Sequence, residues 1–224
     1  MKCTRKVLKV LSRFVVSLFF GLFAIKIASF WKFSFIYGAS RAMFSGATAT
    51  VPLVGLFGGG IVSLIIFMLL LMSRYALFGV SSLHILAFYL PGLFSALYFS
   101  CGNRLVRLIV PILCMILFIS HPMGGQAFVY SFFWLIPIVI YFSRSKQIFL
   151  NALASTFIAH AVGSVIWIYT VPMSVYAWYA LIPIVCIERL AISSAIVILY
   201  KISCYLKRRS RGYLVSKRKI SYNT

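Results

Sequence analysis

Residues 76–100 read ALFGVSSLHILAFYLPGLFSALYFS. The run is apolar and long enough to cross a bilayer, which takes roughly 20 residues, but its middle is Tyr89-Leu90-Pro91-Gly92. Proline removes a backbone donor and crowds the preceding turn, and a Pro-Gly pair favours a change of direction. Whether this run crosses or turns back decides the number of spans. Six further apolar runs accompany it, at about 10–31, 51–72, 105–120, 127–143, 148–169 and 175–200.

Basic residues sort the ends, because short cytoplasmic segments collect Lys and Arg. The start carries Lys2, Arg5, Lys6, Lys9 and Arg13, and the stretch from Lys201 onward carries eight more. Both ends therefore belong in the cytoplasm, which requires an even number of crossings. Seven runs are odd, so residues 76–100 are predicted to form a re-entrant hairpin turning at Pro91-Gly92, with seven full spans as the alternative. Arg74, Arg104, Arg107, Arg144 and Lys146 then face the cytoplasm, and only Lys32 and Arg41 lie outside. The expected architecture is an all-α, polytopic transmembrane helical bundle of six spans plus that hairpin. Residues 1–9 form a basic cytoplasmic head, 10–203 one membrane domain and 204–224 a basic cytoplasmic tail. The first run has the basic start of a signal peptide, but it is too long and is interrupted by Lys26, so it is read as a retained helix. Residues 32–50, rich in small polar side chains, read as an external loop or interfacial helix.

Composition supports the membrane reading and excludes much chemistry. The chain of 224 residues is 63% hydrophobic and 10% charged, and its 22 Lys and Arg stand against a single acid, Glu188. Mean hydropathy is +1.05. One carboxylate cannot hold a catalytic Mg²⁺ or divide acid from base in a glycosidase or aspartyl protease. The five cysteines are scattered without a CxxC pair, which argues against a disulfide framework. The histidines, His84, His121 and His160, have no spacing that puts two on one helical face, so no metal site or cofactor is expected.

Ionisable groups within a bilayer are costly and mark candidate sites. Glu188 lies deep in the last run, with Arg189 next to it about 100° round the helix. Pro183, one turn earlier, frees the Tyr179 carbonyl, as in the broken helices that line solute cavities. In 148–169, Thr156, His160, Gly163 and Trp167 form one stripe at steps of four, three and four, with Asn151 and Ser155 alongside. A pocket is expected between the last two spans, lined by Asn151, Thr156, His160, Trp167, Trp178, Glu188 and Arg189. His121, in the turn His121-Pro122-Met123-Gly124-Gly125, would stand near its mouth. The alternative is that these groups only fasten helices, as Ala159-x-x-x-Gly163 does by close approach, in a structural or assembly protein without a ligand. A further alternative is an intramembrane serine hydrolase using Ser164 with His121 or His84, although Gly163-Ser164 is too short to be a specific motif. The primary reading is not an enzyme. The tail, with Lys207-Arg208-Arg209 and Lys217-Arg218-Lys219, follows a span directly and is read as a partner of anionic lipids rather than nucleic acid.

Three stretches carry a resemblance. Ala24-x-x-x-Ala28 lies in the first run, Thr50-Val51-Pro52-Leu53-Val54-Gly55 opens the second, and Leu181-Ile182-Pro183 to Lys201 forms the last. Together they resemble the S-components, the substrate-binding membrane subunits of bacterial energy-coupling factor transporters, over about a third of the chain. The resemblance implies a bundle of about six helices in the bacterial inner membrane that captures a vitamin-like small molecule. It also implies docking of Ala24 and Ala28 on a transmembrane coupling subunit, with transport driven by separate ATPases; the chain has no P-loop of its own. The family's last helix commonly carries a lysine where this chain has Glu188-Arg189.

Overall fold

Gly59 has φ 85° and ψ 175° in the middle of a helical run, a conformation that is essentially reserved for glycine. The computed structural model describes residues 2–30, 32–33, 44–78, 84–100 and 104–221. Within it α1 covers Lys2–Phe30 and α2 covers Ala47–Phe78, with Gly59 dividing α2 into two limbs. The limbs fold back on each other. A side-chain carbon added at Gly21 of α1 would lie 2.8 Å from Ile66 Cδ1 and 3.1 Å from Val54 Cγ1. In a straight helix residues 54 and 66 would be about 18 Å apart along the axis. Ile25, Leu70, Ala47 and Val51 likewise share one apolar cluster. The expected single span over 51–72 is therefore a helical hairpin, and its turn is the glycine run Gly58-Gly59-Gly60.

Gly59→Ala tests this directly. No atom lies within 4 Å of the added Cβ, so the whole cost is backbone strain, about 1–3 kcal/mol. Thermal unfolding in detergent should show the loss at Gly59, with little change for Gly92→Ala, where the nearest atom is 3.4 Å away.

The break expected at Pro91-Gly92 does not occur. α3 (His84–Ser100) runs through Pro91 as one helix. A turn at that depth would strip several backbone groups of partners in hydrocarbon, whereas an interior proline removes a single helical bond. The pair instead serves packing, since Gly92 faces Val51 and Gly163 faces Pro91.

The expected external segment is shorter than predicted. α2 already begins at Ala47, and the strands β1 (Lys32–Phe33) and β2 (Phe44–Ser45) form a two-residue antiparallel ribbon at its base. Residues 34–43, including Arg41, lie outside the described residues.

A π-helical turn at Leu105–Ile109 leads into α4 (Val110–Ser120), and a short α5 (Pro122–Gln126) follows. The 3-10 helix Phe128–Trp134 continues into α6 (Leu135–Ser143), which ends on Arg144 in the left-handed conformation. The last two helices are α7 (Ile148–Thr170) and α8 (Val175–Ser221). The described residues of the head and tail, 2–9 and 204–221, are thus helical continuations of α1 and α8.

Helix α7 is the centre of the bundle, touching α3, α4, α6 and α8. Polar pairs fix its register on α3: Ser155 Oγ donates to the Ser95 carbonyl at 3.0 Å, and Tyr98 Oη donates to Asn151 Oδ1 at 3.1 Å. Beside it Phe118, Tyr130, Trp134 and Trp178 form a buried aromatic cluster. Neighbour contacts also give the directions. α1 is antiparallel to the first limb of α2 (Ala28 by Gly46, Gly21 by Val54). That limb is parallel to α3 (Val51 by Gly92, Gly55 by Ala96). α3 is antiparallel to α7, and α7 to α8 through Thr156 and Ser193. The start of α1 and the end of α8 consequently lie at the same end of the bundle.

The outer surface is apolar, with Phe19, Phe20, Phe23, Ile61, Met68, Val139 and Phe142 exposed, the reverse of a water-soluble protein. By length and composition Ala47–Ser73, Ile148–Thr170 and Val175–Arg209 are long and apolar enough to cross a bilayer, although the first of them is folded at Gly59; Ser17–Phe30, Leu105–Ser120 and Phe128–Ser143 are shorter apolar helices. The chain is a helical membrane protein.

Candidate functional site

A cavity of about 630 Å³ lies between both limbs of α2, α3, α7 and α8, within the size range of small-molecule pockets. The fold-back at Gly59 helps to create it. The second limb returns Ser63, Ile66, Phe67 and Leu70 to the cavity wall, opposite Ala159 and Gly163 of α7. Small residues at 159 and 163 keep that wall open. Exposed Lys26 and half-buried Ser29 line the end of the cavity nearest the start of α2.

The deep wall is ionic. Glu188 and Arg189 are 2% and 4% exposed, and Arg189 Nη2 donates to Glu188 Oε2 at 3.3 Å. Arg189 Nη1 also donates to the Thr156 carbonyl at 3.4 Å, joining α8 to α7. Thr156 Oγ1 lies 3.3 Å from Ser193 Oγ and donates to the Leu153 carbonyl at 2.8 Å. The two charges neutralise each other, the usual condition for holding such groups away from water. Glu188 Oε1 nevertheless has no hydrogen-bond partner among the described residues.

Aromatic groups form another part of the polar lining. His160 Nε2 is 3.0 Å from Tyr130 Oη, and the imidazole is flanked by Phe133 and Phe157. Trp167 Nε1 donates to Met173 Sδ at 3.0 Å, tying the end of α7 to the turn before α8. Trp178 packs edge-on to Phe118 and Tyr130, and its Nε1 has no partner among the described residues.

Of the residues expected at a pocket, Thr156, His160, Trp167, Trp178, Glu188 and Arg189 line this cavity. Asn151 does not. Its Nδ2 donates to the carbonyls of Ser145 and Gln147, so it ties down the first turn of α7 at the far end of the bundle. His121 is also elsewhere: its Nδ1 accepts from the Met123 N–H at 3.3 Å, and its ring stands 5.1 Å from that of Tyr169. Both are short-range polar contacts at helix ends, which hydropathy and stripe patterns do not distinguish from a site. Pro183 is exposed and α8 runs through it unbroken, so the expected broken-helix site is not formed.

Ser164 lines the cavity and His121 does not; the His84 side chain, the other histidine considered with Ser164, lies outside the described residues. Ala24 and Ala28, assigned to partner docking by resemblance, are partly buried in this chain, Ala28 against Gly46. Among the described residues no three of His, Cys, Asp or Glu come together. Sequence reasoning missed Ser63, Ser95 and Tyr130 as lining groups. Their only signal was a lone polar atom inside an apolar run.

No family model matches the sequence, and no curated protein or solved structure matches the chain.

Proposed function

We propose that the protein is the membrane-embedded solute-binding subunit of an uptake transporter for a small, vitamin-like molecule. The observation that carries this reading is the cavity of about 630 Å³, walled mainly by apolar groups with a few polar ones, on helices rather than loops. A purely structural role does not call for a void of this size in a bundle whose other helices are closely packed.

In this reading α1, α3, α4, α6, α7 and α8 are the six spans, and the α2 hairpin is the re-entrant element, entering and leaving on one side. Both chain ends then share a side, and the Lys and Arg of the two ends assign that side to the cytoplasm. Arg104, Arg107, Arg144 and Lys146 follow them there. The Lys26 end of the cavity faces outward, where a solute is captured. The membrane is the bacterial inner membrane, anionic lipids meet the basic extension of α8, and a coupling subunit with its ATPases supplies the energy.

The test is purification from native membranes in mild detergent, with mass spectrometry of proteins and small molecules together. A retained metabolite and a coupling subunit are the expected companions. Ala159→Phe should fill the cavity and abolish metabolite retention while leaving thermal unfolding within about 1–3 kcal/mol of the parent, the range for overpacking. Protein that is empty both before and after crosslinking would overturn the reading.

A further inference from the structure

Within the Glu188–Arg189 pair the two carboxylate oxygens of Glu188 are in different positions. Arg189 is engaged with the Glu188 carboxylate and with the Thr156 carbonyl. Of the Glu188 oxygens, Oε2 is held by Arg189, whereas Oε1 is buried and has no partner among the described residues. A buried carboxylate oxygen without a donor is costly, and structures rarely leave one so. Glu188 also lines the cavity, so an occupant of the cavity is the available source of a donor.

Three properties of that occupant follow from the surroundings. It must offer N–H or O–H at the Glu188 wall, because Oε1 only accepts. It should be neutral there. Glu188 and Arg189 already cancel, so a bound anion or cation would leave one uncompensated charge in a low-dielectric site. The adjoining wall consists of the Tyr130 and His160 rings, 5.5 Å apart between centroids, with the Thr156 and Ser164 side chains nearby on α7. Such a wall suits a flat group better than a branched one, because rings pack offset or edge-on against planar partners.

We propose that the cavity selects a solute with a planar, uncharged N–H-donating head, of the amide, lactam or cyclic urea class, which donates to Glu188 Oε1. This inference rests on the solute-binding reading and specifies its ligand chemistry. Carboxylate and phosphate heads are rejected at this wall by the carboxylate oxygen, and ammonium or amidinium heads by Arg189.

Four nearly isosteric probes separate these cases: benzamide as the neutral donor, acetophenone as a neutral acceptor, benzoate as the anion and benzamidine as the cation. Binding to the full chain in lipid nanodiscs is measured by quenching of tryptophan fluorescence. Benzamide is expected to bind tightest, by about tenfold or more over acetophenone and benzoate, the usual effect of a hydrogen bond to a charged group. In Glu188→Gln the side-chain amide can donate, so the preference for benzamide over acetophenone should shrink to parity or reverse. If that variant does not fold, Glu188→Gln with Arg189→Gln removes both charges and should show the same loss of preference. Tightest binding of benzoate, benzamidine or acetophenone to the parent protein would overturn the proposal, as would an undiminished benzamide preference in the double variant. If no probe binds but a native metabolite still co-purifies, the head-group assignment falls and the solute-binding reading stands. If no probe binds and no metabolite is retained, both fall.

Discussion

Glu188→Leu is expected to destabilise the protein by about 3–5 kcal/mol, the cost of removing one partner of a buried ion pair. The loss arises less from the 3.3 Å contact itself than from what remains. Arg189 is 4% exposed and would keep its charge away from water without the carboxylate that neutralises it, its bond to the Thr156 carbonyl being to a neutral group. The matching double variant, Glu188→Leu with Arg189→Met, should recover most of that stability, because replacing a whole buried pair with apolar groups is often neutral or favourable. Thermal unfolding of purified protein in detergent reads both effects. If the single variant unfolds at the parental temperature, the pair is not the buried lock described above. The double variant should also lose the benzamide preference, since a stable bundle with an apolar wall no longer distinguishes a donor. Stability and recognition are thus separable at this position.

Gly55→Val should have an effect of similar size for a steric reason. A Cβ at position 55 would run into the carbonyl oxygen of Ala96 and fall 2.7 Å from its Cα. These are backbone atoms, so no rotamer change relieves the clash, and the first limb of α2 must move off α3. The cost should reach about 3 kcal/mol or more, at or above the upper end of overpacking. Because the first limb and α3 share the cavity wall, solute retention should be lost together with stability. Gly163→Ala is the contrast, because its nearest neighbour is the Pro91 side chain at 3.5 Å, an ordinary contact. A parental melting temperature in Gly55→Val would mean that the two helices are not in backbone contact.

Close approach of this kind also explains why the chain folds back at Gly59 and not at Pro91-Gly92, where the sequence predicts the turn. Pro91-Gly92 and Gly58-Gly59-Gly60 both look like breaks in an apolar run, and proline is the stronger local signal. A proline inside a helix removes one hydrogen bond, which neighbouring helices tolerate when the position is packed, as Pro91 is against Gly163. A φ of 85° with ψ of 175° at Gly59 breaks the helical run and lets the chain change direction there. Local propensity cannot rank the two, because the choice depends on whether the next helix has a surface to return to. Here that surface is α1, where Gly21 receives Ile66 and Val54 together.

The sequence by itself determined the membrane class, the apolar runs and the excess of basic residues at the chain ends. These follow from transfer free energies and charge placement, which are sums over residues and need no coordinates. It also marked Glu188, Arg189, Thr156, His160, Trp167 and Trp178, because polar atoms in an apolar run always need a partner. Only the tertiary structure decided which of the marked residues share one cavity, and it excluded Asn151 and His121 by giving them partners at helix ends. It alone decided that Ser63, Ser95 and Tyr130 join the wall. The physical reason is that a cavity is a property of how helices fail to meet. Register and crossing, set here by Gly55, Gly59 and the Ser95–Ser155 and Tyr98–Asn151 bonds, are fixed by contacts between residues far apart in the chain.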